Sequence, residues 1–353
     1  MDNKIFITPS ASIKEALKRL DETAMKVLFV LNEKQQLIGS VSDGDVRRCI
    51  LINFDLNTSI EAAYHRSPLY LKKGQYSDKD VKKIFLEKKI EILPIVDSEM
   101  KVVNVVHWKD VIEGHIPPEP SGNIGIPVVI MAGGKGTRLA PFTNVLPKPL
   151  IPLGEKTILE IIMERFQRQG ASRFFLTLNY RGEMISAYLN SIKFDIPVEY
   201  LWEKEFNGTA GSLSLLGDPE FNTFIVSNCD ILVNADYEEV LKFHYEKKAK
   251  LTVLSSIQHH KIPYGVVDFK EGGIVTGITE KPEFTFPINT GVYIVDSSCL
   301  KMIPEKEVFH MTHLLEALLA AGETVLTYPV NEGDYQDIGQ WEEYNETVRK
   351  LGL

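Results

Sequence analysis

The most informative stretch of the sequence is Ala132-Gly133-Gly134-Lys135-Gly136-Thr137-Arg138-Leu139, followed by Leu146-Pro147-Lys148-Pro149-Leu150. It comes directly after the apolar run Ile126-Pro127-Val128-Val129-Ile130-Met131, which predicts a buried strand. A strand that enters a glycine-rich turn exposes several backbone N–H groups on one concave side, and glycines let the backbone approach a ligand closely. Arg138 and Lys148 add two positive charges to the same loop. The sequence therefore predicts a binding site for a polyphosphate.

The spacing of the glycines narrows the kind of site. The loop is not a Walker A sequence, and it lacks the third glycine of a dinucleotide-binding fingerprint. With its Thr-Arg-Leu and the downstream Lys-Pro, it resembles the signature of the sugar-phosphate nucleotidylyltransferases, also called nucleotide-sugar pyrophosphorylases. The resemblance implies that the loop binds a nucleotide and that its first two residues meet the base or ribose through backbone groups. The loop residues that it assigns to the nucleotide are Ala132, Gly133, Gly134, Gly136 and Thr137.

The rest of the chain resembles the same family from about Ile126 to the C-terminus. From Ile124 onward, strand patterns alternate with helix patterns, which is typical of an α/β domain with ligands at the carboxyl ends of its strands. The resemblance implies a Rossmann-like nucleotidyltransferase domain with a mixed, mostly parallel sheet. Six further segments match in the expected order: Asn207–Leu213, Phe224–Asp230, Tyr264–Val267, Glu280–Pro282, Ile288–Tyr293 and Tyr335–Gly339.

The reaction of this family requires two anions to be held in line. A sugar 1-phosphate oxygen attacks the α-phosphorus of a nucleoside triphosphate and pyrophosphate leaves, so charge must be neutralised around the α-phosphate and the leaving group. The resemblance implies that Arg138 contacts the β- and γ-phosphates, Lys148 the α-phosphate region and Lys281 the sugar phosphate. It assigns the sugar hydroxyls to Glu280, Asn289 and the backbone of Gly265.

Two aspartates are the candidate metal ligands. Asp230 follows a predicted strand, and Asp337 lies in Asp337-Ile338-Gly339. Mg²⁺ prefers oxygen ligands and is commonly held by one or two carboxylates together with substrate phosphates. Because both residues match the family's two metal-binding positions, the resemblance implies a Mg²⁺-dependent enzyme.

Glu203 is the candidate residue for base selection, together with Gly208 five residues later. Family members that use UTP or dTTP commonly carry Gln at the position of Glu203. Guanine presents two donors, N1–H and N2–H₂, which a carboxylate can accept in a bidentate way. The sequence therefore resembles the GTP-using branch, such as the GDP-mannose and GDP-heptose pyrophosphorylases.

Two alternatives stay open at this point. The chain could use UTP, dTTP or CTP on the same fold, or it could be a catalytically silent nucleotide-sensing subunit. The residues do not identify which sugar 1-phosphate is the substrate. Nucleotidyltransferases fused to CBS domains resemble those of bacterial nonulosonate (legionaminic-type) pathways, which favours glucosamine 1-phosphate.

The first third of the chain contains an internal repeat without gaps. Val27–Asn32 aligns with Ile92–Asp97, and Leu37–Ser42 aligns with Val102–His107. Each copy has the pattern helix, strand, polar turn, strand, helix, and neither is large enough to bury a core alone, so the copies are expected to pack together. The repeat resembles a tandem CBS (Bateman) module of α+β fold.

The CBS resemblance implies a regulatory nucleotide site in the first copy. The family's ligand motif is complete there as Gly39, Ser42 and Asp45, whereas Asp110 alone remains in the second copy, where Asn104 and His107 replace the other two residues. A scaffold that dimerises the chain without a ligand is the alternative. Either reading predicts a homodimer.

Composition and boundaries complete the prediction. Pro117–Asn123 has linker composition, so we expect a CBS module at 1–116, a linker at 117–124 and a catalytic domain at 125–353. The net charge of −9 argues against nucleic-acid binding. No stretch is long and apolar enough for a membrane, no signal peptide precedes the first helix, and the three cysteines fit neither a disulfide framework nor a zinc site. We therefore expect a cytoplasmic protein.

Overall fold

The computed structural model describes residues 3–23, 25–52, 55–76, 78–88, 90–107, 122–192, 194–304 and 307–351. The chain divides into two compact units, Met1–Glu119 and Pro120–Leu353. The division falls inside the predicted linker, of which residues 117–121 lie outside the described ranges, so the exact domain boundaries stay a prediction. No helix in the described ranges has both the length and the apolar character needed to cross a membrane.

The N-terminal unit contains two copies of one small sheet. Each sheet has three strands, in the orders β1-β2-β3 and β4-β5-β6, with a parallel first pair and an antiparallel second pair. The antiparallel register shifts at Val30/Leu31 in one copy and at the equivalent Ile95/Val96 in the other. The elements are β1 (Phe6–Ile7), α1 (Ile13–Thr23), β2 (Val27–Leu31), β3 (Leu37–Ser42), α2 (Asp43–Ile52), β4 (Leu71–Lys72), α3 (Asp78–Lys88), β5 (Ile92–Val96) and β6 (Val102–His107).

The apolar spacing of the repeat explains its packing. In α1 the buried residues are Ile13, Ala16, Leu17 and Leu20, which recur at helical spacing on one face. The helix α3 buries Val81 and Phe85 in the same way. The predicted repeat is confirmed, down to the residues that face its core.

The C-terminal unit is built around one seven-stranded sheet, flanked by two short hairpins and the pair β13–β19. Its helices are α4 (Ile158–Arg168), α5 (Gly182–Ser191), α6 (Gly208–Gly211), α7 (Tyr237–Glu246), α8 (Met311–Ala320) and α9 (Trp341–Leu351). Its strands are β7 (Val128–Met131), β8 (Pro152–Leu153), β9 (Lys156–Thr157), β10 (Phe174–Leu178), β11 (Val198–Trp202), β12 (Thr223–Asn228), β13 (Ile231–Val233), β14 (Leu251–Lys261), β15 (Val266–Lys270), β16 (Ile274–Thr279), β17 (Glu283–Asp296), β18 (Val325–Val330) and β19 (Tyr335–Asp337).

The strand order of the large sheet is β11-β10-β7-β12-β17-β14-β18. All neighbouring pairs are parallel except the two that β17 makes, with β12 and with β14. The predicted mixed, mostly parallel sheet is therefore confirmed. Strands buried on both faces are expected in such a sheet, and β7 is buried throughout because its alternate residues enter two cores, Val128 and Ile130 on one side and Val129 and Met131 on the other.

The strand order also fixes where a ligand can bind. The chain runs from β7 outward to β10 and β11, then returns to the other side of β7 as β12. Such a reversal leaves a crevice at the carboxyl ends of the two strands on either side of it, which is where open α/β sheets bind ligands. The glycine-rich loop leaves β7 at this point, and Asp230 follows β12 at the same edge of the sheet.

Candidate active site

The glycine-rich loop after β7 has two glycines whose side-chain space is already filled. Gly136 has a φ of 64°, and a Cβ atom there would lie 2.7 Å from Cβ of Lys148 and 3.0 Å from Cγ2 of Thr143. A Cβ atom on Gly133 would lie 2.5 Å from Oε1 of Glu203. Gly134 differs, because nothing lies within 4 Å of the position that its Cβ would take. The loop thus packs tightly at both ends and is open at Gly134.

Lys148 reaches from this loop to the strand end that carries Asp230. Its ammonium forms an ion pair with Asp230, and both side chains are mostly buried. Asp337 joins them because β13 pairs with β19, which places Ile231 opposite Asp337, and the Ile338 N–H donates to the Asp230 carbonyl at 2.8 Å. The structure therefore brings together three of the predicted site residues that lie far apart in the sequence.

Gly339 shows how closely these groups converge. A Cβ atom there would lie 2.7 Å from Oδ1 of Asp337, 2.9 Å from Oδ2 of Asp230 and 3.1 Å from Nζ of Lys148. Burial raises the pKa of Asp337, and the neighbouring charge of Asp230 raises it further, although the Gly339 N–H donates to Asp337 at 2.6 Å. Two neighbouring carboxylates, one of them paired with an ammonium, offer oxygen ligands that fit a divalent cation such as Mg²⁺.

Glu203 lies just beyond β11 with 8 % of its surface exposed. Its N–H donates to the Leu178 carbonyl at 2.9 Å, and its Oε2 accepts from the Asn207 N–H at 3.3 Å. Burial raises the pKa of Glu203, while the Asn207 N–H and the neighbouring Thr177 side chain lower it in part. A carboxylate buried in this way is costly unless hydrogen-bond donors meet it, which makes Glu203 a candidate for binding a ligand with such donors.

One loop connects the two groups of residues. Gly133 touches the Glu203 carboxylate and Gly136 touches the Lys148 side chain, three residues further along the chain. A ligand on this loop would therefore reach Glu203 at one end and the Lys148–Asp230–Asp337 cluster at the other. A nucleoside triphosphate has this arrangement, with a base at one end and phosphates at the other.

The remaining predicted residues occupy four places. Arg138 is exposed on the short 3-10 turn Thr137–Leu139. Lys281 is exposed on the turn between β16 and β17, where its φ is 47°. Gly265 lies beside Glu280, whose Oε2 is 2.9 Å from the position of an added Cβ. Asn289 lies on β17, where its Nδ2 donates to the Tyr293 hydroxyl at 2.7 Å.

Two of the predicted nucleotide contacts have structural tasks as well. The Ala132 N–H donates to the Thr177 carbonyl at 3.0 Å, so the sheet already uses it and a ligand would have to meet another group of this residue. Gly208 has a φ of 80°, and an added Cβ would lie 2.6 Å from the Phe309 carbonyl oxygen. Gly208 is therefore required for the close packing of α6 on the segment before α8.

The prediction from sequence missed Thr177 and Gly339 as candidate site residues. Thr177 is 1 % exposed near the end of β10, where its carbonyl accepts from the Ala132 N–H at the start of the glycine-rich loop, and its signal was a hydroxyl in an otherwise apolar strand, Phe174-Phe175-Leu176-Thr177-Leu178. Gly339 ends the quoted Asp-Ile-Gly motif, but its closeness to Lys148 depends on the pairing of distant strands. Neither contact could be read from spacing alone.

The CBS ligand motif of the first copy is used within its own unit. Ser42 precedes α2 and donates to the Asp45 carboxylate through its N–H at 2.8 Å and its hydroxyl at 2.6 Å, and Arg48 forms an ion pair with Asp45. An added Cβ on Gly39 would collide with the ring of Tyr64. These contacts explain the motif structurally: Ser42 and Asp45 cap helix α2, and Gly39 allows the Tyr64 ring to approach the backbone closely. Asp110 lies outside the described residues.

Comparison with known proteins agrees with this architecture. The model of the nucleotidyl transferase family matches residues 127–352, and the model of the CBS domain matches residues 1–52 and 77–115. A UTP–glucose-1-phosphate uridylyltransferase of Synechocystis is 29% identical over 244 residues, which cover 63% of this chain and 62% of that protein. A mannose-1-phosphate guanyltransferase of Yarrowia lipolytica is 32% identical over 226 residues, which cover 60% of each chain.

The matched part spans about three fifths of the length of these relatives. Among solved structures, the crystal structure of HddC from Yersinia pseudotuberculosis has a TM-score of 0.52 and 28% identity, and covers 64% of this chain and 99% of that one. The match to the family model is continuous and its range includes the glycine-rich loop, Lys148, Glu203 and both aspartates. The chain belongs to the nucleotidyl transferase family, with CBS domain sequence in its N-terminal unit.

Proposed function

We propose that the chain transfers a nucleotidyl group, with a preference for guanylyl, from a nucleoside triphosphate to a sugar 1-phosphate in a Mg²⁺-dependent reaction. The observation that carries the proposal is the loop whose Gly133 touches Glu203 and whose Gly136 touches Lys148, beside Asp230 and Asp337. The loop would thus present a base-reading carboxylate at one end and a phosphate- and metal-binding cluster at the other.

In water nothing holds the two anionic substrates in line or neutralises their charge, and the residues of the site would do both. The sugar phosphate is its own nucleophile: a bond forms between its oxygen and the α-phosphorus, and the bond from the α-phosphorus to the bridging oxygen of pyrophosphate breaks. Lys148 and Arg138 would neutralise the triphosphate, and Lys281 would hold the sugar phosphate, so that the two anions stay in line. Asp230 and Asp337 would hold Mg²⁺, which lowers the negative charge that the attacking oxygen meets.

The guanine preference is supported by Glu203 and by the relatives. The buried carboxylate suits the two donors of guanine, and several relatives are mannose-1-phosphate guanylyltransferases, such as those of Yarrowia lipolytica and Dictyostelium discoideum. UTP is the second candidate, because a uridylyltransferase of Synechocystis matches equally well. Two sugar 1-phosphates are candidate acceptors. The names of the relatives favour mannose 1-phosphate, and the resemblance to legionaminic-type enzymes favours glucosamine 1-phosphate.

The N-terminal unit is proposed to regulate the enzyme. A nucleotide bound near Gly39, Ser42, Asp45 and Asp110 would alter activity in a cytoplasmic homodimer. The silent-subunit alternative is disfavoured, because Arg138, Lys148, Asp230, Lys281 and Asp337 are all present.

The test is pyrophosphate release by the full chain with Mg²⁺, across GTP, UTP, dTTP and CTP and a panel of mannose, glucosamine, glucose and heptose 1-phosphates. We expect turnover that requires a sugar 1-phosphate and is fastest with GTP. Turnover that is fastest with UTP would overturn the guanine preference and leave the transferase proposal standing. No turnover in any combination, with nucleotide binding to the N-terminal unit intact, would favour the silent regulatory subunit.

A further inference from the structure

We propose that Trp341 is a positioning residue, whose indole N–H fixes the end of the 3-10 turn that carries Arg138 and so orients this guanidinium toward the triphosphate. The inference rests on the proposed function, because it names what holds a phosphate-binding residue of the same site in place. The side chain of Trp341 contacts a backbone carbonyl and an aromatic ring of the glycine-rich loop, so its effect on the substrate would pass through Arg138.

The hydrogen bond lies directly after the turn. Nε1 of Trp341 donates to the Ala140 carbonyl at 3.0 Å. Ala140 follows the turn Thr137–Leu139, and its own N–H donates to the Thr137 carbonyl at 3.3 Å. Ala140 is therefore bonded to the turn through its N–H and to helix α9 through its carbonyl. Because Arg138 is only two residues away, a fixed position of Ala140 also fixes the backbone from which the Arg138 side chain starts.

Aromatic contacts on both sides of the indole support the hydrogen bond. The ring centroid of Phe142, in the loop, lies 4.8 Å from that of Trp341, with an angle of 58° between the planes. The ring centroid of Tyr344, further along α9, lies 5.8 Å from that of Trp341 at an angle of 81°. Tilted and edge-to-face pairs at such distances are favourable. The indole is thus held between a loop residue and a helix residue, with its N–H directed at Ala140.

Two other hydrogen bonds hold the loop near its start and near its end. The Tyr180 N–H donates to the Gly133 carbonyl at 3.4 Å, and the Arg181 guanidinium donates to the Asn144 carbonyl at 2.9 Å. Both donors lie in the turn between β10 and α5. Arg138 lies between these two points, on an exposed turn. The bond from Trp341 adds an attachment from a different element at the part of the loop that carries Arg138.

Trp341 also lies close in sequence to the proposed metal site. It follows Asp337 by four residues, and Gly339, where Lys148 and both aspartates converge, lies between them. The segment that carries Asp337 therefore also carries the donor that attaches the turn. A triphosphate held by Arg138 and by a cation at Asp337 needs these two parts of the chain at a constant separation. The hydrogen bond of Trp341 provides this connection.

The experiment compares Trp341→Phe with Tyr344→Phe in the full chain. Trp341→Phe removes the indole N–H and keeps an aromatic ring beside Phe142. Tyr344→Phe is the matched control on the same helix, because the Tyr344 hydroxyl donates to a different backbone carbonyl, that of Pro152, at 2.8 Å. Calorimetry with Mg²⁺ and without sugar 1-phosphate measures the Kd for the nucleoside triphosphate that the wild type prefers. Competition against this triphosphate measures the Kd for the corresponding monophosphate.

The two nucleotides should respond differently to Trp341→Phe. We expect the Kd for the triphosphate to rise by about three- to tenfold, which corresponds to the loss of one hydrogen bond, and the Kd for the monophosphate to change by less than about twofold. The reason is that Arg138 would contact the β- and γ-phosphates, which the monophosphate lacks. Tyr344→Phe should leave both values as in the wild type.

A double-mutant cycle tests whether Trp341 acts through Arg138. In an Arg138→Ala background, Trp341→Phe should no longer change the Kd for the triphosphate, whereas independent effects would add. If Trp341→Phe does not fold, Phe142→Leu removes the aromatic contact from the exposed loop side and should give the same selective loss for the triphosphate.

The outcomes separate the inference from the proposed function. An unchanged Kd for the triphosphate in Trp341→Phe or its substitute Phe142→Leu, equal rises for triphosphate and monophosphate, or additive effects in the cycle would each overturn the inference. The proposed function would survive all three, because it depends on the wild type's own binding and turnover. A wild type that binds no nucleoside triphosphate would overturn both.

Discussion

Lys148 and Asp230 form an ion pair in the structure, yet the proposed reaction uses them separately. Asp230 would hold the cation and Lys148 would turn to the triphosphate. The pair keeps two buried charges compensated until the substrates arrive, because a charge left alone at this depth is costly. The pKa of Asp337 beside them is raised, because burial and the neighbouring charge of Asp230 both disfavour its ionised form.

The first prediction at the scale of residues concerns the metal. Asp230→Asn and Asp337→Asn should each lower kcat by about a hundredfold or more at saturating Mg²⁺, because each removes one of two carboxylates that would hold the cation. Steady-state kinetics and titration of Mn²⁺ binding by electron paramagnetic resonance measure this. The exposed Asp218→Asn is the control and should behave as wild type. Near-normal turnover in both variants would show that the metal lies elsewhere.

The second prediction concerns Glu203→Gln. Removal of the charge should lower kcat/KM for GTP by about ten- to a hundredfold, because an amide donor then faces a guanine donor. The value for UTP should fall less, or rise. Glu205→Gln, an exposed position two residues further on, should leave both values unchanged. An unaltered GTP/UTP ratio in Glu203→Gln would contradict the assignment of Glu203 to the base.

The third prediction follows from the raised pKa of Glu203. Guanine needs the ionised carboxylate, so kcat/KM for GTP should fall as the pH drops through a pKa above the ordinary glutamate value. Asp337 also has a raised pKa and should affect every nucleotide alike. The ratio of GTP to UTP activity across the pH range therefore isolates Glu203. This ratio should become independent of pH in Glu203→Gln, and a wild-type ratio that is constant from pH 5 to 8 would argue against the prediction.

At the scale of elements, the glycine-rich loop combines close packing at two of its glycines with open space at a third. Gly136 and Gly133 are needed because neighbouring side chains occupy the space of a Cβ atom, and Gly136 also has a left-handed backbone. Gly134 is exposed, and the space that its Cβ atom would take is open. The loop is therefore fixed by packing at its ends and accessible in its middle.

This difference gives a fourth prediction. Gly136→Ala should lower the free energy of unfolding by about 1–3 kcal/mol, because the residue would carry a strained backbone and collide with Lys148 and Thr143. Gly134→Ala should leave the melting temperature within about two degrees of wild type but raise KM for the nucleotide severalfold, since its methyl group would occupy ligand space. Chemical denaturation and kinetics distinguish the two. A Gly134→Ala variant with unchanged KM would place the triphosphate away from this loop.

At the scale of the whole molecule, the fifth prediction concerns regulation by the N-terminal unit. If a nucleotide binds through Asp45, Asp45→Ala should abolish its effect on transferase activity in the full chain. The same variant should also cost about 1 kcal/mol of stability, because Asp45 caps α2 with Ser42. Calorimetry with adenine and guanine nucleotides measures binding, and light scattering measures the predicted dimer. Binding that persists in Asp45→Ala would leave the motif with its capping role.

Much of the fold could be predicted because local patterns and packing agree. The apolar spacing of Ile13, Ala16, Leu17 and Leu20 predicted both a helix and its buried face, and the buried face is confirmed. The run Phe174–Leu178 predicted the buried strand β10, which lies within the sheet. In α4 a capping box between Thr157 and Glu160 starts the helix where the pattern begins. Such elements depend on residues close together in the chain.

The sequence by itself determined the repeat, the α/β order and the chemical types of the candidate site. The glycines and cations of the loop indicate a polyphosphate site, and the family resemblance adds a metal at the two aspartates. Only the tertiary structure decided which of them meet: Lys148 with Asp230, Asp337 with both at Gly339, and Gly133 with Glu203. These contacts arise from strand order and register, which distant parts of the chain fix together by burying a common core, and no local pattern records that choice.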